Sequence, residues 1–250
     1  MFSRCPKCGA DAAGAEVCPA CGLVFRKYVQ AASGAPVRAD ARTRPADDGG
    51  EEPAEDRESL AERLLFVPDE VPAWKPWTGA ALLALSVYFG VRYYAMDIPG
   101  WEMSGTFLHG AMVPFHEFGH LLFMPFGEFM TLAGGSLAQW LMPLGFLALF
   151  SFRNRDNFAA SLMLWWMGTQ WIDLAPYAWD ARDPQHILLS GRTGNDGAHD
   201  YIDMLGDLGL LAHAHGVARV MHAVGLVVML AAWAWGGAIL WKQFQRRERR

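Results

Sequence analysis

Five apolar stretches between residues 74 and 250 restrict this chain more than any other feature of its sequence. They run from about Trp77 to Ala95, Thr106 to Phe126, Leu132 to Phe152, Phe158 to Trp179 and Val217 to Trp241. Each approaches the roughly 20 residues that a helix needs to cross about 30 Å of hydrocarbon. Trp74, Trp77, Trp101, Trp179 and Trp241 fall near the segment ends, where interfacial aromatics collect. The expected fold is all-α, a polytopic helical membrane bundle of about five apolar segments. A large soluble helical domain is the alternative.

The whole-chain apolar fraction of 52% hides a split. Residues 1–73 are polar and rich in Ala, Pro, Gly and charge, whereas 74–250 hold nearly all the tryptophans. One soluble core does not segregate its composition this way. Residues 30–58 bury too little apolar surface to offset the entropy of ordering them. A short amphipathic helix is expected within 57–66, and Pro68, Pro72 and Pro76 punctuate the approach to the first apolar segment. The division expected is therefore a module at 1–28, a mostly disordered linker at 29–73 and a helical transmembrane domain at 74–250.

The four cysteines all lie in the first 21 residues. Cys5-Pro-Lys-Cys8-Gly9 and Cys18-Pro-Ala-Cys21-Gly22 are two copies of one knuckle. Each turn aims two thiolates at one centre, and four thiolates close a tetrahedral shell around Zn²⁺ with no open position. This predicts a structural zinc ribbon. A module under 30 residues needs such a staple. The alternatives are a redox Cys-x-x-Cys or a disulfide pair, and repetition of the whole knuckle argues against redox work. The ribbon resembles the zinc-ribbon modules that precede bacterial membrane domains, which bind protein or nucleic acid, and a protein partner is the one expected.

The second metal signal is His116-Glu117-Phe118-Gly119-His120, inside the second apolar segment. Residues four apart share one helix face, so both imidazoles reach one ion. Glu117 stands beside them as the catalytic base, placed to take a proton from water at the metal. Two histidines and a glutamate in an apolar helix are costly unless paired or used. Their alternative role is hydrogen bonding between neighbouring helices. Two zinc ions are expected, one structural and one catalytic.

The motif resembles that of the site-2-protease-like intramembrane metalloproteases, in which a membrane-buried His-Glu-x-x-His pairs with an aspartate from a later transmembrane helix. The resemblance covers the motif helix and the fourth segment. The family's Leu-Asp-Gly is absent, and the nearest match is Trp171-Ile172-Asp173-Leu174-Ala175-Pro176. Two sources of a third ligand compete. Asp173 ranks first, because its charge at membrane depth needs compensation. His199 or Asp200, in the polar stretch 194–200, ranks second, with Asp200 as a simple helix cap the alternative. Glu128 is expected in a loop or beside a ligating histidine. Asp180, Arg182 and Asp183 are expected as an interfacial ion-pair group, and His213, His215 and His222 as interfacial residues.

Net charge is −5, which disfavours a general nucleic-acid binder. The function expected is hydrolysis of a membrane or membrane-proximal peptide bond. The partners expected are membrane lipid and a membrane protein or peptide substrate. A non-catalytic, membrane-anchored scaffold with a degenerate site is the alternative; metal transport ranks last. The location expected is a bacterial inner membrane with the ribbon and basic tail cytoplasmic. Five full crossings would put Arg153, Arg155 and the basic tail on the opposite side from the ribbon, against the positive-inside tendency. A motif segment that does not cross removes that conflict.

Overall fold

The computed structural model describes residues 2–25, 28, 58–197 and 199–248. The chain divides into two compact units, Met1–Asp56 and Arg57–Arg250. The part of the expected linker at 29–57 lies outside the described residues.

The first unit is built on the two knuckles. Cys5 O accepts from Gly9 N and Cys18 O accepts from Gly22 N, both at 2.9 Å. Gly9 and Gly22 take φ of 73° and 69°, the left-handed region where a side chain is strained. Two isolated bridges, Arg4 with Asp11 and Val17 with Val24, repeat the pattern. Cys5, Ala12, Cys18 and Phe25 form the small core.

The second unit is all-helical among the described residues. Its helices are α1 (Leu60–Leu64), α2 (Lys75–Tyr94), α3 (Phe107–Phe123), α4 (Glu128–Ala148), α5 (Asn157–Asp180), α6 (Asp200–Asp207) and α7 (Ala214–Glu248). The expected apolar segments correspond to α2, α3, α4, α5 and α7. By length and composition, Glu128–Arg153 and Leu211–Arg247 are long and apolar enough to cross a membrane.

Start signals are explicit. Ser59 and Glu62 close a capping box on α1, Thr106 caps α3 and Asp156 caps α5. Pro114 lies inside α3 without breaking it. The break falls later, at the 3₁₀ turn Met124–Phe126 and at Gly127, whose φ is 98°.

The central helix is α5, buried along most of its length. It meets α7 at Gly168 and Gly225, where a Cβ on Gly225 would stand 2.7 Å from Gly168 O. The helices α3 and α4 cross as closely, a Cβ on Gly134 standing 2.5 Å from Gly119 O. Backbones approach like this where small residues line both faces. The outward surface is apolar: Leu82, Leu85 and Phe89 on α2, Phe118 and Leu121 on α3, and Val227 and Leu230 on α7 are all exposed.

Residues 58–73, given to the linker by the sequence, belong to this unit. Val67 and Val71 are buried against Phe158, Ile239 and Leu240. The surrounding bonds define one pole of the bundle. Lys75, at the start of α2, pairs with Asp156 at 3.0 Å. Arg63 donates to Phe152 O at the end of α4, at 2.7 Å. Near the end of α7, Lys242 donates to Leu65 O at 3.1 Å, and Arg246 pairs with Asp69 at 2.9 Å. Thus α2 and α5 start at this pole, and α4 and α7 end there. The chain from the end of α2 to the start of α4, including α3, begins and ends away from it.

Candidate metal centre

In the ribbon, the four cysteine sulfurs gather at one point and can hold a metal such as zinc. Cys5 Sγ lies 3.7 Å from Cys21 Sγ, and Cys8 Sγ lies 3.6 Å from Cys18 Sγ. Sulfurs bonded tetrahedrally at ~2.3 Å to one zinc sit about 3.8 Å apart, so the spacing fits an ion and excludes disulfides. Burial raises the Cys18 pKa, but backbone amides of Cys21 and Ala20 facing its sulfur outweigh it and lower the thiol to about 6. This favours the thiolate that a metal needs.

In the helical unit, His116, His120 and Asp200 bring three ligand atoms within 4.8 Å of one another. Asp200 Oδ2 lies 3.1 Å from His116 Nε2 and 3.4 Å from His120 Nε2. Two atoms each about 2.05 Å from a zinc at the tetrahedral angle lie about 3.3 Å apart. The residues present therefore fit a zinc ion.

The far ring nitrogens are tied down. His116 Nδ1 donates to Gln139 Oε1 and His120 Nδ1 donates to Thr131 O, both at 2.8 Å. Each bond turns Nε2 towards Asp200, where it donates to the carboxylate in the ion-free protein and would give up that proton to bind an ion. Gly135 backs the pair. A Cβ there would stand 2.5 Å from His116 Nε2 and 2.7 Å from His120 Nε2.

Asp200 opens α6, and the residue before it sets its position. His199, and not Asp200, caps this helix: His199 Nδ1 accepts from Ile202 N at 3.3 Å. The His199 ring packs tilted at 34° against Tyr177, and its Nε2 faces Asp180 Oδ2 at 3.5 Å. Asp200 N donates to the Tyr177 hydroxyl at 3.1 Å. Burial pushes the Asp200 carboxyl up, but hydrogen bonds from His116 and His120 outweigh it and hold the group well below the usual carboxylate range.

Asp173, ranked first as third ligand, stands elsewhere. Its carboxylate accepts from the Tyr93 hydroxyl, from His109 Nδ1 at 3.0 Å and from Gln139 Nε2 at 3.2 Å. Three donors compensate the buried charge without an ion. Asp173 lines the same cavity as the histidine pair and is linked to His116 through Gln139. His199, the rival, faces Asp180 instead of the histidine pair. Asp180 is buried and accepts from Gln185 N and His186 N at 2.8 and 3.2 Å, anchoring the loop that returns to Asp200. It is thus no interfacial ion-pair residue. Glu128 starts α4, and Gln139 and Thr131 hold the rings in its place. His215 stacks on Trp179 and His222 on Tyr94, apart from the centre.

Glu117 is exposed on the wall of a cavity of about 740 Å³ that also receives His116, His120 and Asp200. Trp101, Val113, Leu174 and the loop Ile187–Ser190 complete its walls. Gln139 was missed from the sequence, yet a glutamine in an apolar helix is itself a signal of a polar partner. Gly135 and Tyr177 carried none. No family model, no curated protein and no solved structure matches this chain.

Proposed function

We propose that the chain is a membrane-embedded zinc metalloprotease that hydrolyses a membrane or membrane-proximal peptide bond. The observation carrying this reading is that Glu117 shares one cavity with a three-ligand cluster whose open side faces the same space. Catalytic zinc takes three protein ligands and leaves the fourth position for water or substrate. Zinc held there lowers the pKa of a water towards ~7 and polarises a carbonyl oxygen. With the ion bound, Glu117 would accept the proton of the attacking water and return it to the leaving amine. Gln139, Thr131 and Asp200 keep both Nε2 atoms aimed at one point throughout.

The resemblance to site-2-protease-like enzymes rests on the motif helix. There the aspartate comes from a later transmembrane helix, whereas Asp200 opens a short helix after a loop, so only the His-Glu-x-x-His chemistry is carried over. The membrane reading is supported by the large apolar side chains exposed along α2, α3 and α7 and by two helices long and apolar enough to cross a membrane. On this reading α2, α4, α5 and α7 cross and α3 does not. Arg153, Arg155 and the basic tail then lie on one side, the cytoplasmic one of a bacterial inner membrane. The ribbon recruits a protein partner.

The test is Glu117→Gln in purified protein. Zinc content of the helical unit should stay unchanged while peptide-bond hydrolysis falls by at least ~10²-fold, the scale of lost general base catalysis. Loss of zinc, or cleavage at the parent rate, overturns the assignment of Glu117.

A further inference from the structure

His109 has no place in the metal chemistry above, yet it lines the same cavity. It lies seven residues before His116, close to two full turns, so both rings leave one face of α3. At 1.5 Å per residue their Cα atoms are separated by about 10.5 Å along the helix. The ring is held by a built arrangement. His109 Nδ1 donates to Asp173, whose side chain is 1% exposed and is also bonded by Tyr93 and Gln139. A carboxylate bonded on three sides fixes the ring orientation and leaves Nε2 as its remaining polar atom. The His109 side chain is 24% exposed. Val113, one turn beyond His109 on α3, lines the same cavity with Leu174 on α5 and Ile187 to Leu189, beside the polar Gln139 and Asp173.

We propose that His109, oriented by Asp173, accepts at Nε2 a hydrogen bond from a backbone N–H of an extended apolar peptide, about three residues from the scissile bond. The spacing follows from the helix. An extended strand advances about 3.3 Å per residue, so three residues cover the ~10.5 Å between the two points. The apolar side chains of the cavity suit those of a membrane segment. Two fixed polar points in a partly apolar cleft orient a ligand, as in binding pockets generally. This rests on the proposed peptidase reading, and it names that site's substrate register. His109 would touch substrate but not the reacting atoms.

The experiment uses peptide hydroxamates, whose metal-binding group needs no hydrolysis. One peptide spans a single residue beyond the hydroxamate and the other spans four, all apolar. Their affinities are measured for the zinc-loaded full-length protein and for His109→Ala and Asp173→Asn. The long peptide should bind the parent at least tenfold more tightly than the short one. His109→Ala should erase most of that difference while leaving short-peptide affinity and zinc content unchanged. Asp173→Asn should reduce the difference, because the ring is then less firmly held. Equal losses for both lengths, or a difference that survives His109→Ala, overturns the subsite. If the length effect behaves as expected and no peptide is hydrolysed, the subsite stands and the peptidase reading falls. If peptides are hydrolysed with no length effect from His109, the reverse holds.

Discussion

Asp173 and Asp200 illustrate how a residue's cost and its role separate. The pair His116 and His120 was legible because four residues make one helical turn. The third member was named but ranked second, with His199, because Asp200 reaches the pair from 84 residues beyond His116. Burying a carboxylate demands compensation, and that argument was right for Asp173. The compensation comes from Tyr93, His109 and Gln139, polar side chains of three other helices that no spacing connects. Asp200→Ala should therefore remove the zinc of the helical unit and reduce the total from two ions to one by elemental analysis. Asp173→Ala should retain both ions at saturating zinc. Gln139→Ala frees the His116 ring and should weaken that ion by roughly 10–100-fold, the usual cost of losing such a partner. Loss of the ion from Asp173→Ala and its retention in Asp200→Ala would reverse the two assignments.

At the level of elements, hydropathy placed five helices within a few residues because each is one continuous apolar run. The short helix expected within 57–66 is present as α1, but the docking of 58–73 on the bundle escaped notice for a physical reason. Its buried apolar side chains are Val67 and Val71, two residues among prolines that make no period, and it is also tied through backbone carbonyls that accept from Asn157, Trp235 and Lys242. Close helix contacts were equally silent, since a glycine in an apolar helix has several explanations. Gly135 shows what such a contact does here. It leaves the space beside both ligating nitrogens, which a methyl group would fill at 2.5 and 2.7 Å. Gly135→Ala should thus abolish zinc binding in the helical unit while every ligand remains present. Helix propensity favours alanine by up to ~1 kcal/mol, so the helix itself should not weaken. Circular dichroism at parent intensity with one ion lost is the expected pair of results. Full zinc occupancy in this variant would mean that the ion binds on a side of the rings remote from α4.

Across the whole molecule, the charge pattern and the helix directions agree once α3 is treated as a helix that turns back. Sequence alone set the basic loop and tail against a cytoplasmic ribbon, a conflict that a motif segment without a crossing removes. The contacts of Lys75, Arg63, Lys242 and Arg246 gather the start of α2, both ends of the α4–α5 junction and the end of α7 at one pole. A chain that leaves this pole on α2 and returns on α4 has made two passages, so α3 between them needs none. Its 17 residues cover about 25 Å, short of the ~30 Å hydrocarbon core. Reporter fusions in a bacterial host test this directly. Fusions after Gly105 and after Gly127 bracket α3 and should report the same, periplasmic side. Fusions after Arg155 and at the C-terminus should both report the cytoplasm, and one after Leu210 the periplasm. Opposite sides for Gly105 and Gly127 would make α3 a crossing helix. The Arg155 fusion and the C-terminal fusion would then lie across the membrane from the N-terminal segment, although the bonds of Arg63 and Arg246 tie that segment to both.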